Sequence, residues 1–249
     1  FTCGDRVDPW VCHAYLKQAL KAEYASAIEM KRGQVSELPQ ISPTKKESGD
    51  NEPTDFRSHR DVWFTERNKN IALSIRHRGD RLYQHQSPYQ KIEVYDTYPY
   101  GRLLTLDGKI MTSEKDEYVY HEMIAHIPMQ VHPNPERILV LGGGDGGVIR
   151  ELFRYSSVKE VVLVEIDSGV IKAAQEYLPQ IASAFEHTQL EVVIMDGVNY
   201  ARECTSERFD LVIVDAPNPI GPEGSLRAHS FYADAHRILK PQGILMTQS

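Results

Sequence analysis

The sequence predicts an α/β protein in which a parallel sheet is preceded by a small antiparallel one, and three observations carry that expectation. Apolar runs rich in Val, Ile and Leu (RILVLG, EVVLVEID, LEVVIMDG and FDLVIVDAP) are interleaved with segments of helical spacing, the pattern of parallel strands buried on both faces. A glycine-dense turn, GGGDGG, leads from the first of these runs into a helix, as turns do where a ligand is received beyond the carboxyl ends of a sheet. Upstream, alternating aromatic-rich stretches bounded by glycine read as short antiparallel strands.

Taken in order, residues 1–35 hold one helix, with Pro9 near its start and Val11, Tyr15, Leu16 and Leu20 in helical spacing. Residues 36–60 (SELPQISPTKKESGDNEPTDFRSHR) are poor in large apolar side chains and rich in Pro, Ser and charge, the composition of a linker. Residues 61–112 form the antiparallel β-domain, with IALSI, QKIEVYDT and GRLLTLDG as strands. Residues 113–249 form the α/β domain: EYVYHEMIAHIPMQV helix, RILVLG strand, GVIRELFRY helix, EVVLVEID strand, GVIKAAQEYL helix, then LEVVIMDG and FDLVIVDAP as strands. The chain opens on Phe and stops at GILMTQS, which reads as the middle of a buried strand after a Pro-Gln-Gly turn. It is therefore expected to be a fragment, with the last strands of the sheet missing.

At 249 residues and 41% hydrophobic content, one large domain plus a smaller piece is the natural expectation. No apolar run approaches the roughly 20 residues of a membrane span, and no basic region followed by an apolar one opens the chain. A cytoplasmic protein is expected. Cys3, Cys12 and Cys204 have spacings that suit neither a disulfide framework nor a metal knuckle. With 35 acids against 28 bases, the net charge of −7 argues against nucleic acid and leaves room for cationic substrates.

Four successive strands end in an acid: Asp145 after LVLGGG, Glu165 in LVEID, Asp196 in IMDG and Asp215 in VIVD. Glu165 follows the glycine turn by about the interval at which nucleoside-binding folds set an acid on the ribose hydroxyls. Asp196 beside Gly197 suits an adenine amino group, although any one such acid could equally be a solvated loop residue or a helix cap. Asp145 would repel a diphosphate and attract a sulfonium or ammonium. The ligand is thus expected to be a cationic adenosyl compound. Of S-adenosylmethionine and its decarboxylated form, only the first brings a carboxylate toward Asp145, which tilts the choice toward the second.

These motifs resemble the polyamine aminopropyltransferases, typified by spermidine synthase. The resemblance rests on SPYQKIEVYDT, LLTLDGKIMTSEKDEYVYHEMIAHIP, ILVLGGGDGGVIRE, VEID, MDG and DAPNPIGPEGSL with FY beyond it, in the family's order over residues 63–249. It implies a Rossmann-like, methyltransferase-type sheet. It implies that Gln90, Gly144, Glu165, Asp196, Gly197 and Pro222 hold the adenosyl portion of the donor and of its product, methylthioadenosine. His121, Asp145 and Asp215 would face the amines, and Tyr120 would orient the attacking nitrogen. The sequence departs from the family at Asn218, where an acid is usual; the amide accepts a hydrogen bond but gives up Coulombic attraction to an ammonium, so weaker diamine binding or another acceptor is open. The segment FTCGDRVDPWVCHAYLKQALKAE with EMKRG resembles the C-terminal part of a small bacterial S-adenosylmethionine decarboxylase. Its pyruvoyl cofactor would come from a serine upstream of Phe1, and Cys3 would stand at its proton-donor position.

The reaction implied is the transfer of an aminopropyl group from decarboxylated S-adenosylmethionine to putrescine, without a metal, in a protein that forms homodimers or larger homo-oligomers and meets neither membrane nor nucleic acid. Two other readings fit part of the sequence. One is an N-methyltransferase using intact S-adenosylmethionine; the other is a non-catalytic partner that binds polyamine or nucleoside.

Overall fold

The structure is a computed structural model that describes residues 62–79, 81–216, 226 and 228–248. The helix expected within residues 1–35 and the linker expected at 36–60 lie outside the described residues.

Eleven described strands fall into three sheets. β1 (Trp63–Arg67) and β2 (Ala72–Arg76) form an antiparallel hairpin. β3 (Tyr83–Gln86), β4 (Lys91–Thr97), β5 (Gly101–Leu106) and β6 (Lys109–Ser113) form an antiparallel meander. The sequence predicts one antiparallel sheet here; instead the IALSI strand pairs only with β1, and an isolated bridge from His77 to Thr97 joins hairpin to meander. Phe64 and Ile75 of the hairpin pack on Tyr95 and Leu103 of the meander, so side-chain burial replaces a continuous ladder.

The third sheet is parallel, in the order β11-β10-β7-β8-β9. It comprises β7 (Arg137–Gly142), β8 (Glu160–Glu165), β9 (Leu190–Ile194), β10 (Phe209–Asp215) and β11 (Leu239–Thr247). Chain order reverses at β7, whose neighbours are β8 and β10, and the carboxyl ends there form the crevice in which such sheets take ligands. α1 (Glu117–Val131) and α2 (Gly147–Leu152) cover one face, where Ile124, Met129, Val148 and Ile149 meet Ile138 and Val140. α4 (Gly197–Glu203) and α5 (His229–Ile238) cover the other, where Val198, Phe231 and Ala235 meet Leu139 and Leu141. Alternate residues of RILVLG thus enter opposite cores, which is why that run is apolar without interruption. α3 (Ser168–Tyr177) carries Val170 and Ala173 onto Ile92, Val94 and Leu104, and so docks the meander on the α/β domain.

Burial on both faces fails for β9, where Val192 and Ile194 are 40% and 51% exposed. β9 is an edge strand, so apolar residues alone did not make it interior. β11, the opposite edge, is half-buried rather than the fully buried strand expected of GILMTQS. GVIRELFRY forms helix only to Leu152, and Phe153 turns the chain. No helix among the described residues is long and apolar enough to cross a membrane.

At the amino ends of the strands, buried Asp210 accepts hydrogen bonds from the backbone N–H of Glu136 and Arg137 (3.1 and 2.8 Å) and from Lys240 Nζ (2.9 Å). Burial pushes its carboxyl up, but Lys240 and the two N–H groups outweigh that and hold it below the usual range. A depressed folded pKa stabilises the protein above the ordinary carboxylate value, and the contribution disappears as pH falls through the folded value. Asp210→Asn is expected to cost about 1–3 kcal/mol near neutral pH, with the gap to the parent closing in acid. Denaturant unfolding of both proteins at neutral pH and near about pH 3 checks it.

Candidate active site

The glycine turn is shaped by what crosses it. Gly142 ends β7 in the left-handed region (φ 83°), and a Cβ there would run into the backbone carbonyl of Asp215 on the adjacent strand. At Gly147, the first residue of α2, a Cβ would run into the imidazole of His121. The glycines therefore let β10 and α1 deliver side chains to a space that other residues would fill.

Asp145 occupies the centre of this turn. Its Oδ1 accepts from the backbone N–H of Gly147 (2.9 Å), and its Oδ2 lies 3.3 Å from His121 Nε2. Burial pushes its carboxyl up, yet the His121 contact prevails and its pKa is lowered. Asp215 ends β10 and accepts a 2.6 Å hydrogen bond at Oδ1 from the Tyr120 hydroxyl. Burial, then the charge of Asp145, push the Asp215 pKa up to about 6 against the pull of Tyr120. Tyr120 is itself raised by burial and by Asp215, so it stays a phenol and donates.

His121, 2% exposed on α1, is held at both ring nitrogens: Nε2 by Asp145 and Nδ1 by Glu117 one turn earlier, at 2.5 Å. Burial opposes its charge, but the hydrogen bond and charge of Asp145, the hydrogen bond of Glu117 and the charge of Asp215 win, and its pKa rises to about 9. Ligand atoms of His121, Asp145 and Asp215 lie within 4.8 Å of one another. Both His121 nitrogens are already engaged by acids, so the ring has no free lone pair to offer a metal ion in this arrangement.

Glu165 ends β8 beneath the turn and is buried, with Oε1 accepting from the Asp167 N–H at 2.9 Å. Burial pushes its pKa up to about 7, against backbone hydrogen bonds that include one from Gly144. Gln90, in the β3–β4 loop, donates to Asp167 Oδ2 at 3.1 Å; Ser87 donates to the same oxygen at 2.6 Å. Asp196 caps α4 through the Asn199 N–H (2.9 Å), realising the helix-cap reading, with Gly197 beside it at the helix start. Asp145, Asp215, Tyr120 and His121 are brought together, and Glu165 approaches Gly144, with its Oε2 2.8 Å from where a Cβ on Gly144 would sit. Cys3, Asn218 and Pro222 lie outside the described residues.

Sequence reasoning missed Glu117, Arg150, Ser87 and Asp167. Glu117 stands four before His121 in EYVYH, a helical spacing that signals contact. Arg150 grips Glu117 with two 2.9 Å hydrogen bonds from Nη1 and Nη2. Asp167 caps α3 through the Gly169 N–H, as Asp-Ser-Gly after a strand suggests.

Comparison with known proteins finds two family models that match most of the described residues. The model of the spermine/spermidine synthase domain matches residues 117–249, and that of the spermidine synthase tetramerisation domain matches residues 62–114. A polyamine aminopropyltransferase of Methanocaldococcus jannaschii is 43% identical over 200 residues, covering 80% of this chain and 67% of the relative. One from Desulforudis audaxviator is 47% identical over 189 residues, covering 76% and 68%. A crystal structure of spermidine synthase with the transition-state analogue AdoDATO aligns with TM-score 0.69 at 38% identity, covering 73% of this chain and 62% of that one. Spermidine synthase from Thermotoga maritima aligns with TM-score 0.69 at 37% identity, covering 76% and 63%. The chain thus spans somewhat less than two thirds of the solved chains it matches.

Proposed function

Since the chain belongs to the spermine/spermidine synthase family, we propose that it moves the aminopropyl group of decarboxylated S-adenosylmethionine to putrescine, giving spermidine and methylthioadenosine. The observation that carries this reading is the pairing of Asp145 and Asp215 on either side of the reversal at β7, with the Tyr120 phenol on Asp215. Two carboxylates there favour cations at both sulfur and nitrogen.

The amine nitrogen attacks the methylene beside the sulfonium, the C–S bond breaks toward sulfur, and neutral methylthioadenosine leaves. The leaving group brings its own positive charge, so the displacement asks for alignment and a free lone pair, and for no cofactor beyond the donor itself. An amine of pKa near about 10.4 is mostly protonated at neutral pH. Asp215, lifted to about 6, is a better proton acceptor than an ordinary aspartate, and it stabilises the charge that builds on nitrogen. Tyr120 aims the lone pair and holds Asp215 in place.

Glu165 is the acceptor for the ribose hydroxyls, with Gln90 and Gly144 beside the nucleoside and Asp196 and Gly197 at the adenine edge; Pro222 is assigned to the same adenosyl portion. His121 and Asn218 complete the amine side. Because the Glu165 pKa is raised to about 7, its ionised form is lost as pH falls through that value. Methylthioadenosine affinity is expected to weaken by up to about tenfold per unit below that point, and to become flat with pH in Glu165→Gln; calorimetric titration across pH checks this.

The reading extends to a cytoplasmic homo-oligomer, in keeping with the tetramerisation domain matched at residues 62–114. It also extends to residues 1–35 as part of a pyruvoyl-dependent decarboxylase that makes the donor, with Cys3 as proton donor. The test is mass spectrometry of products from the full-length protein given each donor with di- and triamines. Spermidine from the decarboxylated donor supports the proposal; methylated amine from intact S-adenosylmethionine would replace it with a methyltransferase.

A further inference from the structure

Two sequence motifs, EYVYHE and DGGVIRE, meet in a single chain of charged contacts that begins at the amine side of the site and ends away from it. Asp145 Oδ2 contacts His121 Nε2, His121 Nδ1 contacts Glu117 Oε2, and Arg150 clamps Glu117 with two parallel hydrogen bonds. Arg150 in turn reaches Glu151 Oε1 (3.0 Å from Nε), and buried Glu151 is held from its other oxygen by Arg154 at 2.7 Å and His126 at 3.2 Å. Acids and bases alternate along the series, so Glu117 and Glu151 each lie between two basic groups.

The arrangement constrains His121 from every direction. Glu117 and Tyr120 come from its own helix, with the Tyr120 ring edge-on at 5.5 Å. Asp145 comes from the glycine turn, Asp215 acts on it from β10, and Gly147 leaves the space its ring occupies. Among the described residues, Glu117 and Asp145 alone contact its nitrogens, and of the two Glu117 alone is fixed by a forked guanidinium, a highly directional partner for a carboxylate.

We propose that Glu117 is a positioning residue of the transfer reaction: clamped by Arg150, it sets the orientation of His121, whose Nε2 then fixes the Asp145 carboxylate that faces the acceptor amine. Glu117 does not touch the reacting atoms. Without it, Nδ1 loses its acceptor and the ring its tether to α1, and among the described hydrogen bonds Asp145 is left with the Gly147 N–H. This rests on the aminopropyltransferase reading of the site.

Glu117→Gln in the full-length protein keeps the side chain's length and an acceptor oxygen but removes the charge that Arg150 and His121 share. The kcat for aminopropyl transfer is expected to fall about 10- to 100-fold, the loss typical of displaced supporting groups, while methylthioadenosine affinity stays within about threefold. In NMR titrations the His121 ring is expected to titrate at lower pH than in the parent, and Glu117→Asp should recover part of the lost turnover. An unchanged kcat, an unmoved His121 titration, or a loss of methylthioadenosine affinity that matches the loss of kcat would each overturn the proposal. Turnover of the parent separates the two readings. A parent with no transfer activity removes the proposed function, while the His121 titrations still decide whether Glu117 governs that ring.

Discussion

Asp215→Asn is expected to lower kcat by about 100- to 10,000-fold, the range seen when a general base or charge-stabilising group is lost, with methylthioadenosine affinity within about threefold of the parent. The amide keeps an oxygen for Tyr120 but neither accepts a proton from the attacking amine nor opposes the charge growing on it. The pH profile sharpens this test. At saturating donor, kcat/KM for the amine is expected to rise about tenfold per unit through neutral pH, because only the unprotonated amine attacks. Below about 6 the parent should steepen as Asp215 also takes up a proton. In Asp215→Asn the lower break should vanish. Equal losses of turnover and donor affinity, or a break that survives the substitution, would remove Asp215 from the chemistry.

The largest structural effect is expected of Gly142→Ala. The position needs a positive φ of 83°, and its missing Cβ points at the backbone carbonyl of Asp215 where β7 and β10 end side by side. Left-handed strain on a side-chain-bearing residue costs about 1–2 kcal/mol, and overpacking adds about 1–3 kcal/mol because the obstacle is backbone and cannot rotate aside. A total of about 2–5 kcal/mol follows, or a fall of roughly 5–15 °C in Tm for a chain of this size. Relief can come only from moving the end of β10, so turnover should fall with stability. Thermal unfolding and kcat measured on the same preparation decide it, and a variant with parental values in both would show that strand end to be slack.

How much of this was legible beforehand depended on whether the cause was local. The strands β7, β8 and β10 could be read because each is buried on both faces and so apolar throughout. The acids at their ends followed from the fold rule rather than from any contact. That β9 is an edge was not legible, since LEVVI differs little from EVVLV and strand order is a tertiary property. The separation of the β1–β2 hairpin was hidden for the same reason. At the site, Asp145, Asp215, Tyr120 and His121 were named from sequence, but that acids engage both His121 nitrogens was not. The spacing of Glu117 and His121 was visible; Arg150, far along the chain, became their neighbour only through packing of α1 on α2. Asp196 carried two readings that sequence could not separate, and one of its oxygens caps α4.

On the proposed function, the rim beyond β7 and β10 accepts positive charge beside an adenosyl group. The most direct measurement is calorimetric binding of decarboxylated and intact S-adenosylmethionine to the full-length protein under one set of conditions. The decarboxylated donor is expected to bind at least about tenfold more tightly, since a second carboxylate near Asp145 is repelled, and the preference should narrow in Asp145→Asn. Equal affinities, a preference for the intact form, or tighter binding of a dinucleotide than of either would contradict the claim.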